Sequence, residues 1–292
     1  MKRMFWYKRL FFLSFLILMV GAFWAISSVA APTQGPAGMA FYEKPSTIPG
    51  THGTLIRYRT STSVPPGGPS CYSWTVMYAS QDALGEPNVV TGTVLVPKSL
   101  YNYGLTARPI ISYAVGTHGL VQSWAPSIQL ENGTDYENSN IAAALNRGYA
   151  VLVTDNPGYT NNDVPSYMVG KAQGQAVLDI VTAALQIPNI SLKSYAKVGI
   201  WGYSQGGQSA AWAGQLQSTY APGIKLAGVA AGGVPAELFS VGRYLDGNNG
   251  SSFLLSTCIG LNAQYPNDIL LNSRVNTDGM DAIGRGLSMG VF

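Results

Sequence analysis

The sequence predicts an α/β fold organised around a mostly parallel sheet. From Arg108 onward, short continuous apolar runs alternate with segments of helical spacing, which is typical of parallel strands covered by helices on both faces. Before that point lie three extended segments, GTLIRYRT, CYSWTVMYAS and NVVTGTVLVP. In the second, Tyr72, Trp74, Val76 and Tyr78 share one face, so we expect these three segments to form antiparallel strands with unlike faces.

The parallel part can be assigned element by element. Its strands are expected at PIISYAV, YAVLVTD, AKVGIWGYS and KLAGVAAGG, and its helices at NSNIAAALNRG, MVGKAQGQAVLDIVTAALQI and QSAAWAGQLQSTYA. The long middle helix places Ala172, Ala176, Ile180 and Ala184 on one apolar stripe, and Asp179 is expected on its solvent side. Antiparallel strands that lead into a parallel sheet of this kind indicate an α/β-hydrolase fold.

The first thirty residues have the pattern of a secretory signal peptide. Basic residues precede an unbroken apolar run at 10–26, and small residues follow it. Ser28 and Ala30 form a small-x-small site, which predicts cleavage after Ala30 and export of the remaining domain. The apolar run is long for a cleaved signal, so the alternative is an uncleaved membrane anchor formed by residues 10–26.

The composition argues against several classes of function. Charged residues make up 11% of the chain and the formal net charge is +3, which gives no basis for nucleic-acid binding. Neither a metal nor a cofactor is expected, because the sequence has no His/Cys pair at ligand spacing, no phosphate loop and no C-x-x-C motif. The two cysteines, Cys71 and Cys258, predict a disulfide in an exported chain, with two unpaired buried thiols as the alternative.

The pattern G-x-S-x-G occurs twice, around Ser204 and Ser288, and the context separates the two. Ser204 stands where the strand VGIW ends and a helix begins, with Gly202 and Gly206 two residues away on either side. This arrangement is typical of a nucleophile elbow, in which a serine in a strained turn faces the free amides of a helix N-terminus. The alternative for Ser204 is a turn serine that caps the helix. Ser288 has no strand before it and too few residues after it for a helix, so we interpret it as a chance match.

An acyl-transfer site also needs donors for the oxyanion of the tetrahedral intermediate. One donor is expected to be the backbone N–H of Gln205, directly after the nucleophile. The other is expected from the loop YAVGTHGL, whose glycines let the chain fold back toward Ser204. Within that loop Thr117 is the predicted donor and Gly116 the second choice; a purely structural glycine turn is the alternative.

Five segments of the chain resemble the secretory lipase family of the α/β-hydrolases. They are PIISYAVGTHGL, GYAVLVTDNPGY, QAVLDIVTAAL, VGIWGYSQGGQSAAWA and GVAAGGVPAEL, and they agree with the family in order and spacing over roughly Gly50 to Leu238. The resemblance implies a serine esterase that acts on fatty-acyl esters. It also implies that Ser204 is the nucleophile and that Thr117 and Gln205 lie where the oxyanion donors lie.

The same resemblance implies how the chain is divided and what it contacts. Residues 31–236 are expected to form the hydrolase core, and residues 237–292 the beginning of a mostly helical lid. The implied substrate is a lipid or another ester, transient contact with a lipid surface is expected, and no obligate protein partner is inferred. One departure lies in the loop YAVGTHGL, residues 113–120, which is the predicted oxyanion loop. Val115 stands there at a position that often carries a histidine in related sequences.

A serine nucleophile needs a histidine base that a carboxylate orients. In α/β-hydrolases the chain order is serine, acid, histidine, yet both histidines of this sequence, His52 and His118, precede Ser204. The triad acid and histidine are therefore not found, and we expect the sequence to be the N-terminal two thirds of a lipase. His118 is interpreted as a loop residue near the mouth of the site, with a substitute general base as the alternative, and Asp155 as the cap of the turn DNPG.

Taken together, these patterns predict a secreted serine lipase or esterase that works through an acyl-serine at Ser204. The activity of the chain by itself stays open, because the base is not found. Two alternatives are retained: a peptidase or acyltransferase on the same fold, and a catalytically inactive binding protein with a hydrolase scaffold.

The signal segment generates a prediction about processing. If residues 1–30 are removed on export, the mature protein begins at Ala31, because the small-x-small site ends at Ala30. N-terminal sequencing or mass spectrometry of the secreted protein checks this. Recovery of all the protein from the cytosol with Met1 intact contradicts export, and a membrane-bound form that keeps residues 10–26 supports the anchor instead.

Overall fold

The structure of the protein, a computed structural model, describes residues 31–99 and 107–288. The predicted signal peptide at 1–30 lies outside the described residues. Within the described ranges, no helix is long and apolar enough to cross a membrane.

Eight strands form one sheet in the order β1-β2-β3-β4-β6-β5-β7-β8. Their bounds are β1 Thr33–Gln34, β2 Leu55–Thr60, β3 Cys71–Gln81, β4 Pro87–Pro97, β5 Ile110–Ala114, β6 Ala150–Thr154, β7 Lys197–Tyr203 and β8 Lys225–Gly232. Strands β2, β3, β4 and β6 pair antiparallel in that order, whereas β6, β5, β7 and β8 pair in parallel. The predicted antiparallel beginning and parallel remainder are confirmed.

Helices cover both faces of this sheet. Their bounds are α1 Pro126–Asn132, α2 Asn138–Asn146, α3 Gly170–Ala184, α4 Gln205–Tyr220, α5 Leu238–Leu245, α6 Ser251–Gln264, α7 Pro266–Ile269, α8 Leu271–Arg274 and α9 Thr277–Gly286, with 3-10 turns at Gly38–Tyr42 and Gln122–Trp124. Helices α3 and α4 pack on one face of the sheet, and α1 and α2 pack on the other.

The continuous apolar runs of the parallel strands follow from this burial on both faces. In β6, Ala150 and Leu152 point into the core under α3 and α4, whereas Val151 and Val153 point into the core under α1 and α2. Because successive side chains of a strand point to opposite faces, consecutive positions of such a strand are apolar. The last strand, β8, is the exception, since most of its residues are exposed.

The predicted solvent exposure of Asp179 is wrong. Helix α3 is buried at every position except Lys171 and Thr182, and the Asp179 side chain is 1% exposed. Its carboxylate lies 2.6 Å from His52 Nδ1 and accepts hydrogen bonds from Ser80 Oγ at 2.7 Å and the Tyr220 hydroxyl at 2.8 Å. The sheet and α4 enclose this side of α3, and donors from three other segments replace the water that Asp179 loses.

The structure also contradicts the predicted disulfide between Cys71 and Cys258, because both thiols are free. Cys71 begins β3 and packs in the core under α1 and α2, where its thiol donates to the Pro69 carbonyl oxygen. Cys258 lies on α6 and packs in a separate apolar cluster with Ile259 and Leu271. Burial raises the pKa of the Cys71 thiol to about 11, so this group is a structural thiol.

The described chain beyond β8 is helical except for short connections. Its helices pack through Ile259, Leu271 and Ile283 onto Leu120 and Tyr167, which belong to the loops after β5 and β6. These loops lie at the carboxyl ends of the parallel strands, so the helices lie over that end of the sheet. The division between a core and a lid at residue 236 stays a prediction.

The environment of Asp179 generates a prediction about stability. Asp179→Ala leaves three buried or half-buried donors without an acceptor, and we expect a loss of about 3 kcal/mol in the free energy of unfolding. Urea denaturation measures this change. The control is Asp163→Ala, which removes the partner of Lys44 in a more exposed ion pair and should cost less than about 1 kcal/mol. Equal losses for the two variants contradict the prediction.

Candidate active site

Ser204 occupies the sharp turn between β7 and α4. Its backbone φ of 58° and ψ of −120° lie in a region that a residue with a side chain rarely adopts, and α4 begins with the next residue, Gln205. Local strain of this kind is the mark of a serine held out at a strand-to-helix elbow.

Three glycines make the elbow sterically possible. A β-carbon at Gly202 would lie 2.3 Å from the Gly206 carbonyl oxygen, and one at Gly206 would lie 2.0 Å from the carbonyl oxygen of Ala114. A β-carbon at Gly207 would lie 2.1 Å from the Gly232 carbonyl oxygen. Real β-carbons do not approach backbone oxygens so closely, so the ends of β5 and β8 meet the first turn of α4 only because glycine occupies these positions.

The Ser204 side chain lines a cavity of about 330 Å³ between the sheet and the helices beyond β8. The cavity walls are mostly apolar and include Tyr167, Met168, Val234, Leu238, Val241, Leu245, Phe253 and Leu254. In the described part of the chain, no side chain hydrogen-bonds the Ser204 hydroxyl. The serine oxygen therefore faces an apolar space with room for a bound molecule.

Gln205 directly follows Ser204, and the loop after β5 contacts the turn that both residues belong to. The Gln205 amide is in the first turn of α4, where backbone N–H groups have no acceptor within the helix and carry partial positive charge. The loop after β5 touches the same turn, since a β-carbon at Gly206 would also lie 2.8 Å from the Val115 carbonyl oxygen. The predicted donor loop and the predicted nucleophile are thus neighbours in space.

Within that loop, the two predicted donor residues differ. The Gly116 N–H donates to Glu137 Oε1 at 2.9 Å, so the second choice of oxyanion donor is already engaged. Thr117 holds its side-chain oxygen 2.9 Å from the Tyr167 hydroxyl, and its carbonyl oxygen accepts a hydrogen bond from the Tyr136 hydroxyl at 3.1 Å. Among the described residues, the Thr117 N–H donates no hydrogen bond.

The prediction that His118 is a loop residue near the mouth of the site is wrong, because His118 is buried, with 3% of its surface exposed. Its Nδ1 lies 3.0 Å from the Gly116 carbonyl oxygen, and its Nε2 lies 3.0 Å from Asp135 Oδ2. A carbonyl oxygen and a carboxylate only accept, so both contacts are hydrogen bonds when both ring nitrogens carry a proton, which is the imidazolium form. Burial lowers the pKa of His118, but the bond and charge of Asp135, the Gly116 carbonyl and the charge of Glu137 outweigh it, and the pKa is raised above 6.5.

Asp155 does not cap the turn DNPG as predicted. Its carboxylate is fully buried and accepts hydrogen bonds from Thr91 Oγ1 and from both the backbone N–H and the hydroxyl of Ser127. Burial raises the pKa of Asp155 to about 6, against the effect of these donors. Asp155, which follows β6, thus connects Thr91 of β4 to the first turn of α1 and fixes the position of that helix against the end of the sheet.

No predicted site residue came from the segment Asp135, Tyr136 and Glu137, which lies between α1 and α2. All three side chains contact the oxyanion loop: Asp135 binds His118, Tyr136 donates to the Thr117 carbonyl, and Glu137 accepts from the Gly116 N–H. Glu137 also accepts a hydrogen bond from the Tyr113 hydroxyl at 2.6 Å. A signal was present, because two carboxylates within three residues are unusual in a chain with only 14 acidic residues.

The second histidine, His52, belongs to a different part of the molecule. Its Nδ1 pairs with Asp179, and its ring stacks on Tyr220 with centroids 3.9 Å apart. The hydrogen bond to Asp179 raises the pKa of His52. Neither histidine contacts Ser204 in the described structure.

Comparison with known proteins identifies relatives for this arrangement. The profile of the family described as "Secretory lipase" matches residues 126–291. "Lipase 5" of Candida albicans is 31% identical over 256 residues, which are 79% of this chain and 53% of that protein. "Secreted triacylglycerol lipase LIP7" of Malassezia globosa is 32% identical over 188 residues, which are 61% of this chain and 38% of that protein.

Solved structures show the same architecture. Candida antarctica lipase A in its closed state aligns with a TM-score of 0.73 and 27% identity over 84% of this chain and 57% of that one. The rice cell wall degrading esterase LipA from Xanthomonas oryzae aligns with a TM-score of 0.65 over 82% of this chain and 68% of that one; at 22% identity this likeness shows the fold alone. The fold is that of the α/β-hydrolases, as predicted.

The matches cover this chain more fully than they cover the relatives. The chain spans about half the length of the curated relatives it matches, 53% of the first and 42% of the second. The family profile covers more than half of this chain, and relatives above 30% identity cover a larger share still. The chain therefore belongs to the secretory lipase family.

Proposed function

We propose that this protein is a secreted serine esterase of the lipase type, which hydrolyses fatty-acyl esters through an acyl-enzyme at Ser204. The observation that carries the proposal is the strained Ser204 at the strand-to-helix elbow, open to an apolar cavity. In the reaction Ser204 Oγ attacks the ester carbonyl carbon, the bond to the alcohol oxygen breaks, and water later hydrolyses the acyl-serine. The serine proton leaves with the alcohol.

The negative charge that develops on the carbonyl oxygen has two candidate hydrogen-bond donors. We propose that the backbone N–H groups of Gln205 and Thr117 bind the carbonyl oxygen of the tetrahedral intermediate. Support comes from the contact between the loop after β5 and the first turn of α4, and from the Thr117 N–H, which donates no hydrogen bond in the described structure. Gly116 is not retained as a donor, because Glu137 already binds its N–H.

The cavity supports long apolar acyl chains as substrates. Its walls include Leu238, Val241, Phe253 and Leu254 from α5 and α6, which suit a hydrocarbon chain. Helix α5 also turns Phe239 and Tyr244 outward, 71% and 77% exposed, and we propose that this side meets the surface of a lipid aggregate. The relative from Malassezia globosa is named as a triacylglycerol lipase, which agrees with this substrate class.

In this proposal neither histidine acts as the general base. His118 uses both ring nitrogens as donors, and His52 pairs with Asp179. We therefore propose that the 292-residue chain by itself acylates Ser204 slowly and turns over poorly. A second candidate, a hydrolase scaffold that binds lipids without catalysis, is favoured by the same observation.

A labelling experiment separates the two candidates. We expect an alkyl fluorophosphonate to form a covalent adduct at Ser204, since phosphorus bonds to Oγ while fluoride leaves with the serine proton. Mass spectrometry of the digested protein locates the adduct, and Ser204→Ala abolishes it. The matched control is Ser288→Ala, which changes the serine of the other G-x-S-x-G and should leave labelling unchanged. No adduct at Ser204 supports the binding protein instead.

Turnover of p-nitrophenyl esters tests the missing base. Without a histidine base, the remaining catalysis comes from oxyanion binding and positioning and is about a thousandfold to ten-thousandfold over water. We expect release of about one equivalent of nitrophenol followed by slow turnover. Rapid turnover that His118→Ala abolishes and His52→Ala spares would make His118 the base and overturn this part of the proposal.

A further inference from the structure

Three successive peptide groups of the oxyanion loop are held by side chains. The Gly116 N–H donates to Glu137, the Gly116 carbonyl accepts from His118, and the Thr117 carbonyl accepts from Tyr136. The holding groups come so close that a β-carbon at Gly116 would lie 2.5 Å from the Tyr136 hydroxyl and 3.2 Å from Glu137 Oε1. The conformation of this loop is therefore set by side chains that lie away from the apolar cavity.

The hydrogen bond from His118 to the Gly116 carbonyl oxygen determines the direction of the Thr117 N–H. In a planar trans peptide the C=O of one residue and the N–H of the next point in opposite directions. A hydrogen bond that draws the Gly116 carbonyl toward His118 therefore aims the Thr117 N–H the other way. Donation to the carbonyl also polarises the peptide group, which strengthens its N–H as a donor.

We infer that His118, as an imidazolium bound to Asp135, is a positioning residue that orients the Thr117 N–H toward the oxyanion through the Gly116 carbonyl. This inference rests on the proposed role of Thr117 in the esterase. Asp135 holds the ring through Nε2 and is itself held, because its Oδ1 accepts the Glu137 N–H at 2.7 Å. The histidine thus acts through a peptide bond and takes no proton from Ser204.

The charge state of the ring sets the sign of the pH dependence. Asp135 and Glu137 face His118 from the segment before α2, and Asp155 acts on it from the end of β6. When the imidazolium loses a proton, Nε2 keeps its own because its bond to a carboxylate is the stronger one. Nδ1 then presents a lone pair to the Gly116 carbonyl oxygen, and the hydrogen bond between them is lost. Because the pKa is raised above 6.5, the imidazolium is the major form at pH 6.5, and the hydrogen bond to the Gly116 carbonyl is lost as the pH rises through the pKa of the folded protein.

The test measures phosphonylation of Ser204 by the alkyl fluorophosphonate over a range of concentrations. We expect His118→Ala to lower the maximal rate by about tenfold to a hundredfold, somewhat less than the loss of a whole oxyanion donor. The half-saturating concentration should stay within about twofold, since ground-state binding does not use the donor. His118→Asn should recover most of the rate, because its amide nitrogen can replace Nδ1 as the donor to Gly116.

The chain supplies a matched control in His52, the other histidine that is paired with a buried aspartate. His52→Ala should leave the maximal rate unchanged. The ratio of the wild-type rate to the His118→Asn rate should fall as the pH rises from about 6 to 10, because only the wild-type donor titrates. A general base would do the opposite, with a ratio that rises with pH and no rescue by asparagine.

Three kinetic results overturn the inference: an unchanged maximal rate in His118→Ala, no recovery in His118→Asn, or a rate ratio that rises with pH. Nitrogen-15 NMR of the wild-type imidazole gives a readout that needs neither a folded variant nor a reactive serine. We expect both ring nitrogens of His118 to be protonated at about pH 5, below the raised pKa, and a neutral ring at that pH also overturns the inference. Failure of Ser204 to react at all counts against the proposed function, while the NMR result still decides the state of His118.

Discussion

The close approach of three backbones at Ser204 is the constraint on which the rest of the site depends. The end of β5, the end of β7 and the first turn of α4 meet where the Ala114 carbonyl oxygen lies against Gly202 and Gly206. This contact leaves Ser204 on a sharp turn and brings the loop after β5 against the first turn of α4, which Gln205 begins. With larger residues at the two glycines the backbones would separate, and the two proposed donors could not bind one oxyanion.

The buried carboxylates of this sparsely charged chain each bind hydrogen-bond donors from other segments. Asp155 and Asp179 each collect three hydrogen bonds, and Asp135 and Glu137 together hold the oxyanion loop. A buried carboxylate without donors is costly, so each one enforces the position of the segments that supply its donors. These acids therefore fix the connections between elements that lie far apart in the sequence.

The two histidines fit the same scheme. Each is paired with a buried aspartate, and each joins a loop to the body of the fold. In a serine lipase a histidine is expected to act as the general base. The contacts of His118 are instead those of a hydrogen-bond donor at both ring nitrogens. The described site thus combines the proposed nucleophile and the proposed oxyanion donors with histidines whose contacts are those of supporting groups.

Local patterns were sufficient for much of this protein. The order of strands and helices, the antiparallel beginning of the sheet, and the distinction between Ser204 and Ser288 depend on hydrophobic period and glycine spacing, which operate over a few residues. The environments of Asp179, Asp155, His118 and the two cysteines could not be obtained in this way. Burial and hydrogen bonding depend on partners that packing brings from elsewhere: those of Asp179 lie 127, 99 and 41 residues away along the chain. No periodicity encodes such contacts, so they appear only once the sheet and helices are assembled.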